Sequence, residues 1–278
     1  MENFKVQNGK AVREAKRRVH HFAMLKQRGQ KIVMVTAYDY PTGLAADAAG
    51  VDAVLVGDSL GMVALGFDQT IPVTMDMMIH HTAAVRRAVK RAFLIGDLPF
   101  LSYKVSPEQA LTNAGRFVQE AGAEAVKLEG GGEVAPMITK IVTAGIPVMG
   151  HIGLMPQSLH KHGGYRVQGR QNETAQMLVE DAKAIEHAGV FALVAEAVDP
   201  EAAAEICAAV SIPVIGIGAS RICDGQVLVL SDLVGAIPAP PPKFVKRYTS
   251  VYDTMEGAIR EFCGDVRSGK FPQEQHEY

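Results

Sequence analysis

Cysteine is scarce in this chain: Cys207, Cys223 and Cys263 are the whole complement among 278 residues, and they are far apart with no close-spaced pair. That argues against a disulfide framework or a cysteine-rich zinc site and fits a reducing cytoplasm, so a cytoplasmic protein is expected. Net charge is equally short. With 28 Lys and Arg against 30 Asp and Glu the formal charge is -2, and the basic residues are scattered apart from Arg86-Arg87 and Lys90-Arg91, which read as one helix surface. No nucleic-acid partner is expected without a basic face. Long apolar runs are missing too: no stretch reaches the roughly 18 residues of a membrane span. The polar start, Met1 to Lys10, lacks the apolar core of a signal peptide, so no membrane partner is expected. No Gly-x-Gly-x-x-Gly follows the first predicted strand, and no low-complexity linker divides the chain.

What is present is a large core, with 48% hydrophobic and 21% charged residues. The chain is organised around Val54-Leu55-Val56-Gly57-Asp58-Ser59-Leu60-Gly61, an apolar run that stops at a carboxylate, a hydroxyl and a glycine. Such a run reads as a strand buried on both faces, with a ligand site at its carboxyl end. The arrangement recurs. Ala121-Gly122-Ala123-Glu124-Ala125 leads into Lys127-Leu128-Glu129, and Ala188-Gly189-Val190-Phe191-Ala192 leads into Glu196. Strands are predicted at Ile32 to Thr36, at Val54, at Phe93 to Asp97, at Lys127 to Glu129, at Ile146 to His151, at Leu193 to Glu196, at Ile212 to Gly216 and at Val227 to Leu230. Helices fall between them, among them one capped by Thr74 and one opened by Ser106-Pro107.

About eight alternating βα units imply a closed parallel (β/α)₈ TIM barrel, α/β in class, and the length suits one domain spanning 1–278. An open doubly wound sheet is the rival, disfavoured because polar residues end nearly every strand and not only those at one crevice. Residues 10 to 29 read as an amphipathic helix before the first strand, placed to plug the barrel bottom, and Lys243 to Gly269 as a closing helix. The pairs His20-His21 and His80-His81 read as surface or packing residues, and Pro238 to Pro242 as a rigid surface loop.

Asp58, Asp97, Glu129 and Glu196 would then meet at the mouth, with Lys127 and His151 beside them. Several carboxylates in a partly desolvated site require a cation or a raised pKa, and oxygen-only ligands favour Mg²⁺ or Mn²⁺. Each Asp alone reads equally well as a helix cap. Lys127 suits a Schiff-base nucleophile, an ion pair or a charge stabilising an enolate, and His151 suits a hydrogen-bonded core residue.

Six ordered stretches carry a resemblance: Val56 to Gly61, Asp97-Leu98-Pro99-Phe100, Val126 to Gly131, Gly150-His151-Ile152-Gly153-Leu154-Met155-Pro156-Gln157-Ser158, Gly163 to Arg170 and Ile215-Gly216-Ile217-Gly218-Ala219. Together they resemble the ketopantoate hydroxymethyltransferase family over Lys31 to Tyr278. The resemblance implies a (β/α)₈ barrel assembled as a homo-oligomer, a decamer, in pantothenate biosynthesis. It implies transfer of a hydroxymethyl group from 5,10-methylenetetrahydrofolate to 3-methyl-2-oxobutanoate, giving 2-dehydropantoate. It makes Asp58, Asp97 and Glu129 the Mg²⁺ site, places the oxo acid on Asp58, Ser59, Asp97 and Lys127, and makes Glu196 the proton acceptor. The chain departs from the family pattern at Ser220, at Gln275 and in Pro238 to Pro242, none of them in the carboxylate set.

Two other classes fit the same pattern less well. A Mg²⁺-dependent carbon-carbon lyase or phosphoenolpyruvate-type mutase would share barrel and metal, but no cysteine stands near a strand end in the first half to serve as its acid. A catalytically silent scaffold would have no need of acids at several strand ends.

Overall fold

The computed structural model describes residues 4–7, 10–13, 15–162, 164 and 166–278. Gly163 and Tyr165, part of one family-like stretch, and Met1 to Asn3 in the polar start lie outside the described residues. Two compact units result, residues 1–229 and 230–278.

The first unit opens with an antiparallel hairpin, β1 (Phe4–Gln7) and β2 (Lys10–Arg13), followed by a helix, Val19–Gln27. The helix expected over 10 to 29 is therefore shorter at both ends. Lys10–Arg13 pairs with Phe4–Gln7 where a helix is expected, and Asn8, Gly9 and Glu14 lie outside the described residues. Eight strands follow: β3 (Ile32–Thr36), β4 (Ala53–Val56), β5 (Phe93–Asp97), β6 (Ala125–Glu129), β7 (Val148–Gly153), β8 (Ala192–Glu196), β9 (Val214–Ile217) and β10 (Gly225–Leu228). Each pairs in parallel with the next, and β10 pairs with β3, so the sheet closes into the expected barrel.

Helices start where the sequence supplies caps. Ser106 Oγ accepts the Gln109 N–H ahead of Pro107–Gln119, and Thr74 Oγ1 accepts the Met77 N–H ahead of Met75–Ala88. The last barrel strand begins at Gly225, two residues before its predicted start. A Cβ on Gly225 would collide with the Ile32 carbonyl, so the missing side chain is what lets β10 close against β3.

Alternate residues of the strands fill the barrel: Ile32, Met34, Ala53, Leu55, Phe93, Ile95, Ala125, Met149, Ala192, Val194, Ile215, Ile217 and Val227. Phe22, from the helix before β3, closes the floor against Phe93 and Phe191, with ring centroids 5.5 and 5.2 Å away. The expected plug is present. Cys207 and Cys223, distant in sequence, come within hydrogen-bonding reach of each other, and all three cysteines are free.

In the second unit, Leu230–Leu233 is a short helix and Val251–Ser268 a long one. The closing helix starts later than the expected Lys243, because residues before it are held by other bonds: Tyr248 N–H donates to Leu233 O and Arg247 to Ala239 O. Among the described residues no helix is long and apolar enough to cross a membrane.

Candidate active site

The strand period of two decides what reaches the mouth. Along β5 the inward positions run Phe93, Ile95, Asp97; along β6 Ala125, Lys127, Glu129; along β7 Met149, His151; along β8 Ala192, Val194, Glu196. Apolar side chains occupy the lower layers and ionisable ones the top. Register then makes neighbours of the top residues, since Asp97 lies opposite Lys127 and Glu129 opposite His151. Glu196 ends β8, four strands round from β4, whose end carries Asp58. Asp58, Asp97, Lys127, Glu129 and His151 are all buried, none more than 4% exposed.

Lys127 Nζ lies 2.6 Å from Asp97 Oδ1, and Asp97 Oδ2 accepts the backbone N–H of Asp58 at 3.2 Å. Asp58 Oδ2 accepts from Gln157 Nε2 at 2.9 Å, and Glu129 Oε2 accepts the Gln157 N–H at 3.2 Å. Neither Asp caps a helix, so the cap reading of both residues is set aside. His151 stands between two carboxylates, Nδ1 3.5 Å from Glu129 Oε1 and Nε2 3.3 Å from Glu196 Oε2, without hydrogen-bond alignment at either nitrogen. Through it Glu196, which is half-buried, joins the cluster. Ser59 Oγ meets the Tyr38 hydroxyl at 2.8 Å, beside Asp58 in the chain. His81 holds the Tyr38 carbonyl at 2.6 Å through Nδ1, a packing role, while His20 and His80 are exposed.

Burial, and then the charges of Asp97 and Glu129, push the Asp58 carboxyl up to about 8. Burial likewise raises Asp97, although Lys127 opposes it. For Glu129 burial is outweighed by His151 and Lys127, and its carboxyl stays below the ordinary range. Burial opposes the charge on Lys127, but Asp97, Glu129 and Asp58 together hold the ammonium above its ordinary value. His151 is pushed up to about 9, its burial and the nearby Lys127 being overcome by Glu129 and Glu196. A protonated Lys127 is a poor nucleophile, which counts against the Schiff-base role.

Two residues of this network have no place in the sequence-based expectations. Gln157 touches Asp58, Glu129 and the Leu98 carbonyl, and Tyr103 places its hydroxyl 2.8 Å from Glu129 O and 2.9 Å from Gln157 Oε1. Gln157 lies inside a family-like stretch, where an amide just after a strand end is the available signal. Tyr103 carries no such signal.

A model of the family described as ketopantoate hydroxymethyltransferase matches residues 16–274. The chain belongs to the ketopantoate hydroxymethyltransferase family. It is 55% identical over 254 residues to a 3-methyl-2-oxobutanoate hydroxymethyltransferase of Carboxydothermus hydrogenoformans, covering 91% of this chain and 92% of that protein. It is 54% identical over 254 residues to the enzyme of the same name in Moorella thermoacetica, covering 91% of this chain and 94% of that one. Among solved structures, phosphoenolpyruvate phosphomutase from Streptomyces platensis subsp. rosaceus superposes with a TM-score of 0.60 at 14% identity, covering 93% of this chain and 92% of that one. A 2,3-dimethylmalate lyase superposes at 0.60 with 15% identity, covering 94% and 88%. These two share the barrel. Family membership, carried by the sequence relatives, separates this chain from the mutase and lyase readings.

Proposed function

We propose that this chain transfers a hydroxymethyl group from 5,10-methylenetetrahydrofolate to 3-methyl-2-oxobutanoate, giving 2-dehydropantoate for pantothenate synthesis, with Mg²⁺ as its metal. The observation that carries the site assignment is the buried cluster of Asp58, Asp97, Lys127 and Glu129, with half-buried Glu196 beside it, above an apolar barrel.

The donor set fits Mg²⁺. Asp58, Asp97 and Glu129 supply only oxygen, and burial, followed by the charges of Asp97 and Glu129, pushes the Asp58 carboxyl up to about 8. Among the described residues no group of three or more His, Cys, Asp or Glu stands placed to hold a metal ion by itself. Mg²⁺ is commonly bound through one or two carboxylates, with water and substrate oxygens as its remaining ligands, so the reading rests on the oxygen-only chemistry of these donors. Asp58, Asp97 and Glu129 would hold the ion, which when bound polarises the keto group of the oxo acid.

The chain's own residues supply the rest. Asp58, Ser59, Asp97 and Lys127 orient the oxo acid, Ser59 through the hydroxyl it shares with Tyr38. Glu196 removes the C3 proton, and the Lys127 ammonium faces the negative charge that develops on the keto oxygen. The resulting carbanion equivalent bonds to the one-carbon unit. Both bonds from that carbon to the folate nitrogens are replaced, one by the bond to C3 and one by a bond to water oxygen. The C3 proton and one water proton finish on the two nitrogens, so tetrahydrofolate leaves. We place the enzyme in the cytoplasm as a homo-oligomer, a decamer.

The test is stoichiometry. Purified protein with both substrates and Mg²⁺ should form 2-dehydropantoate and tetrahydrofolate one for one, and a chelator should stop both. Folate turnover without oxo-acid consumption would overturn the reading.

A further inference from the structure

Gln157 follows β7 in the short turn Pro156–Ser158 and is 2% exposed. Its side chain spans the ends of other strands. Nε2 donates to Asp58 Oδ2, past the end of β4, and to Leu98 O, past the end of β5, each at 2.9 Å. Its backbone N–H donates to Glu129 Oε2, at the end of β6, at 3.2 Å. The carbonyl end, Oε1, meets the Tyr103 hydroxyl at 2.9 Å, and that hydroxyl accepts the Glu129 N–H at 3.1 Å. Both donors of the amide are therefore used, and its acceptor shares the single Tyr103 hydroxyl proton with Glu129 O, which lies 2.8 Å from that hydroxyl.

The orientation of the amide follows from these partners. Turned over, it would set Oε1 against the Leu98 carbonyl, two acceptors with no proton between them, and leave Asp58 Oδ2 without its amide donor. Tyr103 fixes the other end.

Neutrality matters as much as geometry here. Lysine or arginine in this place would orient Asp58 equally well but would cancel the negative charge that attracts a cation. An amide orients without neutralising. It engages one oxygen of Asp58 and leaves Oδ1 clear of itself. By grasping Asp58 and Glu129 from one residue it also fixes the spacing of two carboxylates that repel each other.

We infer that Gln157, held by Tyr103, is the positioning residue of the carboxylate cluster, setting Asp58 and Glu129 at the separation that receives a divalent cation. The inference rests on the Mg²⁺ reading of this site. Residues that orient metal ligands typically change metal affinity by about 10- to 100-fold when lost.

The experiment is calorimetric titration of the metal-free protein with Mg²⁺ alone, on the parent, Gln157→Met and Tyr103→Phe, with thermal unfolding followed in parallel. Gln157→Met keeps length and loses every side-chain hydrogen bond; Tyr103→Phe frees the amide to turn and also removes the hydroxyl's bonds to the Glu129 backbone. Folded Gln157→Met should bind Mg²⁺ about 10- to 100-fold more weakly, and Tyr103→Phe should shift affinity the same way by less. At saturating Mg²⁺ the KM for 3-methyl-2-oxobutanoate should rise more than kcat falls. Parent-like Mg²⁺ affinity in a folded Gln157→Met, even with a lowered melting temperature, would overturn the inference by leaving only a structural role. If Gln157→Met does not fold, parent-like affinity in Tyr103→Phe overturns it instead. A parent that binds no Mg²⁺ would refute the metal reading itself, a different result.

Discussion

At the floor of the barrel Phe22, Phe93 and Phe191 pack edge to face, with Phe93 and Phe191 centroids 5.7 Å apart; at the mouth β5, which begins at Phe93, and β8, which follows Phe191, end in Asp97 and Glu196. The same alternation builds both ends. At the floor every inward side chain gains by leaving water, about 25 cal/mol for each Å² of apolar surface buried. At the mouth Asp58, Asp97, Lys127, Glu129 and His151 lose hydration, and only mutual pairing keeps them buried. Stability is thus concentrated below and chemistry above, which predicts that substitutions at the two ends fail in different ways.

The largest effect expected is at the mouth. Asp97→Ala removes a proposed ligand and the closest partner of Lys127, so turnover should fall below detection and Mg²⁺ affinity by more than about 100-fold, the upper range for residues that merely support a ligand. Titration calorimetry and the coupled assay check both. Unchanged Mg²⁺ affinity would take Asp97 out of the metal site.

Phe22→Ala is the counterpart at the floor. Phe22 is 1% exposed, and losing its ring should destabilise the fold by about 3–5 kcal/mol. Mg²⁺ affinity of the remaining folded protein should stay near the parent value. A loss of Mg²⁺ binding without a drop in denaturation midpoint would break the division between the two ends.

A smaller effect sharpens the electrostatics of the mouth. Because the Asp58 carboxyl is pushed up to about 8, it holds a proton below that pH in the metal-free protein, and an incoming cation must displace it. Apparent Mg²⁺ affinity should therefore fall as pH falls from about 8, by up to about tenfold per unit, with close to one proton released per ion. Titrations in buffers of different ionisation enthalpy measure that proton. Flat affinity across about pH 6 to 8 would show Asp58 already ionised.

Both ends of the barrel are legible in the sequence, to different depths. Alternation along Phe93 to Asp97 and Leu193 to Glu196 is enough to point acids toward the mouth, because strand geometry is periodic and local. Phe22 is readable as part of an amphipathic plug. Gln157 is not, since its contacts reach Asp58, Leu98 and Glu129 on other strands and depend on register that no local pattern encodes. The start of the last strand is hidden for a related reason: β10 begins at Gly225 because the missing side chain there lets two strands meet. The meeting of Cys207 with Cys223 is likewise a product of folding and not of spacing.

Glu196 carries the central claim that this mouth abstracts a proton. Gly153 backs it closely, in a left-handed conformation where a Cβ would strike the Glu196 carbonyl, and the Leu154 N–H fixes that carbonyl at 2.8 Å. Its backbone is held while its carboxylate reaches toward His151. The most direct measurement is deuterium uptake at C3 of 3-methyl-2-oxobutanoate in heavy water with Mg²⁺ and no folate, comparing the parent with Glu196→Gln. The parent should exchange, and the variant should exchange about 10²- to 10⁴-fold more slowly, the usual contribution of a general base, while binding Mg²⁺ and oxo acid nearly as well. Exchange at the parent rate in Glu196→Gln would contradict the account and place the base elsewhere.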